Sequence, residues 1–306
     1  VDPSRWPSLD RELVPLVEML PEMHGSLDDV SAARDMLAGF IPNDPPEAED
    51  RVEMTEVPVG GTTVRLYRPR GVDGDLPGLL HIHGGGFCLG SAEVDHPQSV
   101  GLADQLQVVV ATVDYRLAPE HPYPAGVDDC YAALELLAGL DGVDPARIAV
   151  QGQSAGGALA AAVTLIARDR GGPPILFQVL EIPVLDDRCE TPSMLAHEGT
   201  PLWSRPQAKA SWVHYLAGRE ADQYAAPARA EDLSGLPTAY VLTCELDPLR
   251  DEGIRYAARL LEAGVSVELH SYPGAFHGTT MAQGSGIADR MMSERLGALK
   301  RALTSG

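Results

Sequence analysis

The sequence predicts an α/β protein built on one mostly parallel sheet of eight strands, with helices on both faces. Three observations carry this expectation. From residue 51 onward, strand-like apolar runs alternate with helical stretches, the order that layers helices on a sheet. Several of the runs are continuously apolar, as strands covered on both faces must be. Residues 251–263 place Ile254, Ala257, Ala258 and Leu261 on one stripe at helical spacing, ended by Gly264.

The elements follow in order. Strands at 51–57 and 62–68 are joined by Gly60-Gly61 and read as a hairpin. Six more are expected at 79–83, 108–113, 148–151, 177–182, 238–244 and 265–272, with helical segments between them. Two stretches break the rhythm: residues 1–50, helical with proline punctuation, and residues 186–228, which carry Trp203, Trp212 and Tyr215. Both are expected to form a helical cap over the open end of the sheet, against the alternative of ordinary surface packing. Residues 1–306 otherwise read as a single domain without repeats.

Composition narrows the function. Of the 306 residues 44% are hydrophobic, enough for a substantial core. The formal net charge is −21, from 44 acidic against 23 basic residues. Such a surface repels nucleic-acid phosphates and anionic membranes, so neither is expected as a partner. Cys88, Cys130, Cys189 and Cys244 have neither C-x-x-C spacing nor small-domain density and read as reduced, buried thiols. The first twenty residues lack a basic segment followed by an apolar one, so no secretory signal is expected. The longest apolar run, 155–167, is shorter than the roughly 20 residues of a membrane span. A soluble cytoplasmic protein is the resulting expectation, with a homodimer left open. No H-E-x-x-H cluster and no dinucleotide fingerprint occur, so neither metal nor other cofactor is expected.

The chemistry concentrates in four places. Gly152-Gln153-Ser154-Ala155-Gly156 follows one strand directly and opens an apolar helix. A G-x-S-x-G sequence in strand–turn–helix context is a nucleophile elbow: the sharp turn pushes the serine hydroxyl out at the carboxyl edge of the sheet. It also aims the Ala155 N–H, at a helix N-terminus, toward developing negative charge. Next, His83-Gly84-Gly85-Gly86-Phe87 follows the strand at 79–83. Three glycines in a row cost backbone entropy and bring no side chain to pack. They make sense where a backbone must approach a substrate oxygen and donate N–H groups to it. His83 reads as a structural residue that pins this loop.

A serine needs a base, and the base needs an orienting acid. Among nine histidines, His277 lies in the glycine-containing loop Pro273-Gly274-Ala275-Phe276-His277-Gly278 after the last strand. His270 and His81 lie within strands, His24 in the N-terminal segment, and His96, His121, His197 and His214 in loops or cap. Asp247 falls just past the strand 238–244, with Pro248 stiffening the loop. Glu245 and Asp251 are its rivals, and Asp251 is expected to cap the following helix instead. Nucleophile, acid and base then occur in the order Ser154, Asp247, His277, which is that of α/β-hydrolases.

These residues resemble the hormone-sensitive-lipase-like family of bacterial esterases. The resemblance extends to Asp114-Tyr115-Arg116-Leu117-Ala118-Pro119-Glu120 and to Asp247-Pro248-Leu249-Arg250-Asp251-Glu252-Gly253, and covers most of 60–280. It implies an α/β-hydrolase fold, Ser154 as nucleophile, Asp247 as orienting acid and His277 as general base. It also implies an oxyanion hole from the N–H groups of Gly85, Gly86 and Ala155. Within the family, GQSAGG, Glu181-Ile182-Pro183 and Leu185-Asp186-Asp187-Arg188 look like esterases of acetyl or other short acyl groups. Gln153 and Thr279 depart from the family pattern, which usually has Asp or Thr at the first position and a bulky apolar residue at the second. The expected activity is hydrolysis of a small-molecule carboxylic ester through an acyl-enzyme, against an amidase or acyltransferase using the same three residues. A non-catalytic ligand-binding protein on this fold is the third reading, argued against by the presence of all three. Phe87, Trp203 and Trp212, with Phe40 and Tyr215, are candidates for the substrate pocket, with plain packing of the cap as the alternative.

Overall fold

The computed structural model describes residues 1–20, 27–38 and 46–304; His24 and Phe40 lie outside them. Eight strands form one sheet: β1 Val52–Val59, β2 Thr62–Pro69, β3 Leu76–Ile82, β4 Val109–Val113, β5 Val143–Gln153, β6 Phe177–Glu181, β7 Thr238–Leu246 and β8 Val267–Phe276. Their spatial order is β1-β2-β4-β3-β5-β6-β7-β8. The hairpin β1–β2 and the pair β2–β4 are antiparallel, and every other pairing is parallel. This is the mostly parallel α/β-hydrolase sheet that the sequence predicts.

Alternating residues of each inner strand feed two cores. Leu80, Ala111, Val150, Leu180 and Val241 face one side, with α4 (Ala125–Ala138), α5 (Ala155–Arg170) and α8 (Arg250–Glu262). Leu79, Val110, Ala149, Val179 and Leu242 face the other, with α3 (His96–Leu106) and α9 (Gly286–Thr304). Leu9, Leu13 and Val17, the last on α1 (Val14–Met19), join this second core.

Some local expectations need correction. The buried face of α8 is Glu252, Gly253, Tyr256, Ala257 and Leu260, whereas Leu261 is 55% exposed. The apolar stripe drawn through Ile254 and Leu261 is therefore rotated by about one residue. A tyrosine fills the buried ground that the periodicity assigned to isoleucine. Asp251 does not cap α8: its carboxylate accepts the Ser193 N–H at 2.8 Å, serving α6 (Pro192–Ala196), while Asp247 Oδ1 accepts the Leu249 N–H at 2.9 Å. His96 opens α3 rather than lying in a loop.

The end of β8 also differs. It runs on past Tyr272 to Phe276 because Gly274, at φ 71°, lets the chain kink, and its N–H donates to the Glu245 carboxylate at 2.7 Å. That engagement takes Glu245 out of contention as the orienting acid. After a register shift at Cys244/Leu246, Leu246 pairs with Phe276, so the next residue of each strand, Asp247 and His277, emerge side by side.

The interrupting segment 186–228 contains α6 and α7 (Arg205–Leu216), and the N-terminal region contains α2 (Val30–Ala38). The two regions touch where the His214 ring meets the Leu27 carbonyl at 2.9 Å. Among the described residues, no helix is long and apolar enough to cross a membrane.

Candidate active site

Ser154 follows β5 and opens α5 with φ 57° and ψ −119°, a conformation L-residues avoid. The flanking glycines make it attainable. A Cβ on Gly152 would stand 2.0 Å from the Gly156 carbonyl oxygen, and one on Gly156 would stand 2.1 Å from that of Ile82. Backbone bonds then lock the turn: the Ser154 N–H donates to Glu181 at 2.8 Å and its carbonyl accepts from Val184 at 3.1 Å. The serine is 5% exposed.

Three side chains distant in sequence meet here. His277 Nε2 lies 3.1 Å from Ser154 Oγ, and its Nδ1 lies 2.9 Å from Asp247 Oδ2. The carboxylate fixes the proton on Nδ1, which leaves Nε2 to accept from the serine hydroxyl. Asp247 is fully buried, and its two carboxylate oxygens meet the Leu249 amide and the imidazole. Such an arrangement can remove the hydroxyl proton and stabilise the imidazolium that results.

The two departures from the family pattern have structural roles. Thr279 is buried, and its hydroxyl accepts the Phe276 N–H and donates to the Phe276 carbonyl, both at 2.8 Å. It thus closes the turn that presents His277. Gln153 donates to Glu181 at 3.3 Å and to Thr280 at 3.4 Å, tying the serine turn to the histidine turn. Glu181 is held in turn by Arg295 of α9.

The glycine loop runs against the serine, with an added Cβ on Gly84 placed 3.5 Å from Ser154 Cβ. Gly85 and Gly86 have φ of 117° and 58°. Among the described residues no acceptor pairs with the N–H groups of Gly85, Gly86 or Ala155. His83 is buried and stacks on Tyr115 with ring centroids 4.2 Å apart. Burial holds its pKa below the ordinary histidine value. A neutral ring packed under the loop matches a pinning role.

Of the aromatic candidates, Phe87 stacks on Tyr215 at 3.9 Å and meets Trp212 at 5.3 Å, both from α7. Trp203 stands apart from them, stacked on His277 at 5.7 Å. Sequence reasoning missed Arg34 of α2. Its Nε donates to the Cys88 carbonyl at 2.9 Å and one Nη to the Ala118 carbonyl at 3.0 Å, while both Nη atoms grip the Glu120 carboxylate at 2.8 Å. Nothing in its local sequence marks it, because its partners lie 54 to 86 positions away. Glu252 was missed too, although it sits inside a quoted motif: its buried Oε1 accepts from Leu185 at 2.6 Å and from Asp186 at 3.2 Å.

With this geometry in place, the relatives can be weighed. The family described as alpha/beta hydrolase fold matches residues 79–281. The chain belongs to that family, in its hormone-sensitive-lipase-like branch. Bacterial heroin esterase has the same fold at a TM-score of 0.93 and 45% identity, over 98% of this chain and 100% of its own. Carboxylesterase NlhH of Mycobacterium tuberculosis is 41% identical over 97% of each chain. Arylacetamide deacetylase of Oryctolagus cuniculus is 33% identical over 78% of each. The family match spans the glycine loop, the serine turn, Asp247 and His277.

Proposed function

We propose that this chain is a serine carboxylesterase that hydrolyses short-chain acyl esters of small molecules through an acyl-enzyme. The observation that carries the proposal is the chain of contacts from Asp247 through His277 to Ser154 at 2.9 and 3.1 Å, next to a glycine loop that runs against the serine. In this reading Ser154 Oγ attacks the ester carbonyl while His277 Nε2 takes its proton. The carbonyl oxygen, now anionic, is held by the N–H groups of Gly85, Gly86 and Ala155. His277 then protonates the departing alcohol, and a water it deprotonates releases the acid from Ser154.

The relatives named carboxylesterase and esterase support ester hydrolysis. Crowding supports a short acyl group: Phe87, which follows Gly86 directly, and Trp212 are 1 and 3% exposed and pack against each other at 5.3 Å. The segment 186–228 and the N-terminal region act as a cap in this proposal, since Trp203, Trp212 and Arg34 reach the site residues from them. The test is a series of p-nitrophenyl esters of increasing acyl length, run beside Ser154→Ala. Turnover is expected to be highest for acetate to butyrate and to vanish in the variant; equal turnover in the variant would refute the proposal. A second reading, amide hydrolysis by the same residues, draws on the likeness to a deacetylase of arylacetamides. Matched acetanilides decide it: comparable kcat/KM on anilide and ester would favour an amidase.

A further inference from the structure

Between α6 and α7 the chain makes an unusual turn. The Trp203 N–H donates to the Pro201 carbonyl at 2.7 Å, closing a γ-turn around Leu202, whose φ is 63°. Leucine in the left-handed region is strained, and a γ-turn of this hand is the rare form. Three side-chain bonds hold it in place. Gln207 donates to the Leu202 carbonyl at 3.0 Å, Ser204 donates to Gln207 at 2.8 Å, and Thr200 donates to the Trp203 carbonyl at 2.6 Å. Strain maintained by so many braces is typical of functional ground.

The turn presses two side chains onto two glycines of the site. Leu202 Cδ1 lies 2.6 Å from where a Cβ on Gly278 would stand, and Trp203 Cη2 lies 2.7 Å from where one on Gly86 would stand. The indole is also stacked on the His277 ring, with 27° between the planes. Trp203 therefore spans the gap from the glycine loop to the imidazole.

We propose that Trp203 sets the upper size of the alcohol portion of the ester. This rests on the ester-hydrolase reading above. His277 Nε2 must protonate the departing alkoxide, so that oxygen sits within hydrogen-bond reach of the ring. The first carbons of the alcohol then run along the imidazole, where the indole already stands. The acyl substituent hangs from the carbonyl carbon instead, and is not constrained to follow the histidine.

The experiment compares kcat/KM within each protein for two pairs of esters. Ethyl and cyclohexyl acetate share the acyl group and have alkoxide leaving groups of similar basicity; ethyl acetate and ethyl hexanoate share the alcohol. Trp203→Ala is expected to raise the cyclohexyl-to-ethyl ratio at least ~10-fold, since a few methylenes in a fitted pocket carry that much discrimination. The hexanoate-to-acetate ratio is expected to move less than about threefold, well below that discrimination. Trp203→Phe should fall between, and it serves in place of the alanine variant if that one does not fold. A ratio cancels any general loss from disturbing His277. An unchanged cyclohexyl ratio, or a larger change in the acyl ratio, overturns the proposal. Absence of ethyl acetate hydrolysis in the unaltered protein, or its survival in Ser154→Ala, would instead overturn the ester-hydrolase reading beneath it.

Discussion

His277 Nε2 lies 3.1 Å from Ser154 Oγ although 123 positions separate the two residues. Parallel strands create this meeting, because β5 and β8 both end at the same edge of the sheet, where Ser154 and His277 follow them. Removing the hydroxyl by Ser154→Ala should lower turnover of p-nitrophenyl acetate by at least ~10⁴-fold. The cost to thermal stability should be small, since the backbone bonds that lock the turn do not use the side chain. Labelling by a fluorophosphonate, present in the unaltered protein and absent from the variant, is the independent check.

Asp247 does two jobs with its two oxygens: Oδ2 orients the imidazole and Oδ1 caps the turn at Leu249. Asp247→Asn places an amide against the ring and favours the wrong tautomer, leaving no free lone pair on Nε2. A loss of about 10⁴ in kcat is expected, with the geometry of the site intact. Steady-state kinetics with a circular-dichroism melt would show it; a loss under tenfold would remove Asp247 from the relay.

Arg34 should matter for turnover although it lies on a helix outside the sheet. Its guanidinium joins the Cys88 and Ala118 carbonyls, next to the bond by which the Ala118 N–H donates to Phe87. It thereby braces the end of the glycine loop. The donors form a rigid fork that lysine cannot reproduce. Arg34→Ala is expected to lower kcat about 10-fold, equivalent to ~1.4 kcal/mol of barrier, with KM changing less. Arg34→Lys should recover little of it. A change confined to KM would place Arg34 in substrate binding instead.

Most of this architecture was readable in the chain because its signals are local. Continuous apolar runs marked the inner strands, and the glycines around Ser154 and after His83 marked turns that only glycine permits. Asp247 and His277 were readable as loop residues just past strands, though not the register shift that sets Leu246 opposite Phe276. What escaped was non-local. Arg34 acts on carbonyls more than fifty positions away, and the Leu202 γ-turn has no composition signature. The face of α8 was misplaced because buried Glu252 and Tyr256 count as polar or ambivalent in any apolar periodicity.

Glu252 supplies a pH-dependent prediction. Burial pushes its carboxyl well above the usual range, against the two backbone N–H bonds that favour the anion, and the nearby Asp186 and Asp247 charges push the same way as burial. The folded chain therefore holds this proton more tightly than the unfolded chain. Its contribution to stability is full below the ordinary glutamate pKa of about 4.3 and is lost as pH rises toward the folded value. Glu252→Gln keeps an acceptor for Leu185 and Asp186 and cannot ionise. The variant should match the unaltered protein in melting temperature near pH 4 and exceed it progressively at higher pH. By pH 8 the gain should be at least ~2 °C, the shift that about 1 kcal/mol produces in a chain of this size. Melting curves from pH 4 to 9 decide it: a variant less stable than the unaltered protein at pH 8 would mean that Glu252 is ionised in the folded state and holds the 185–186 backbone as an anion.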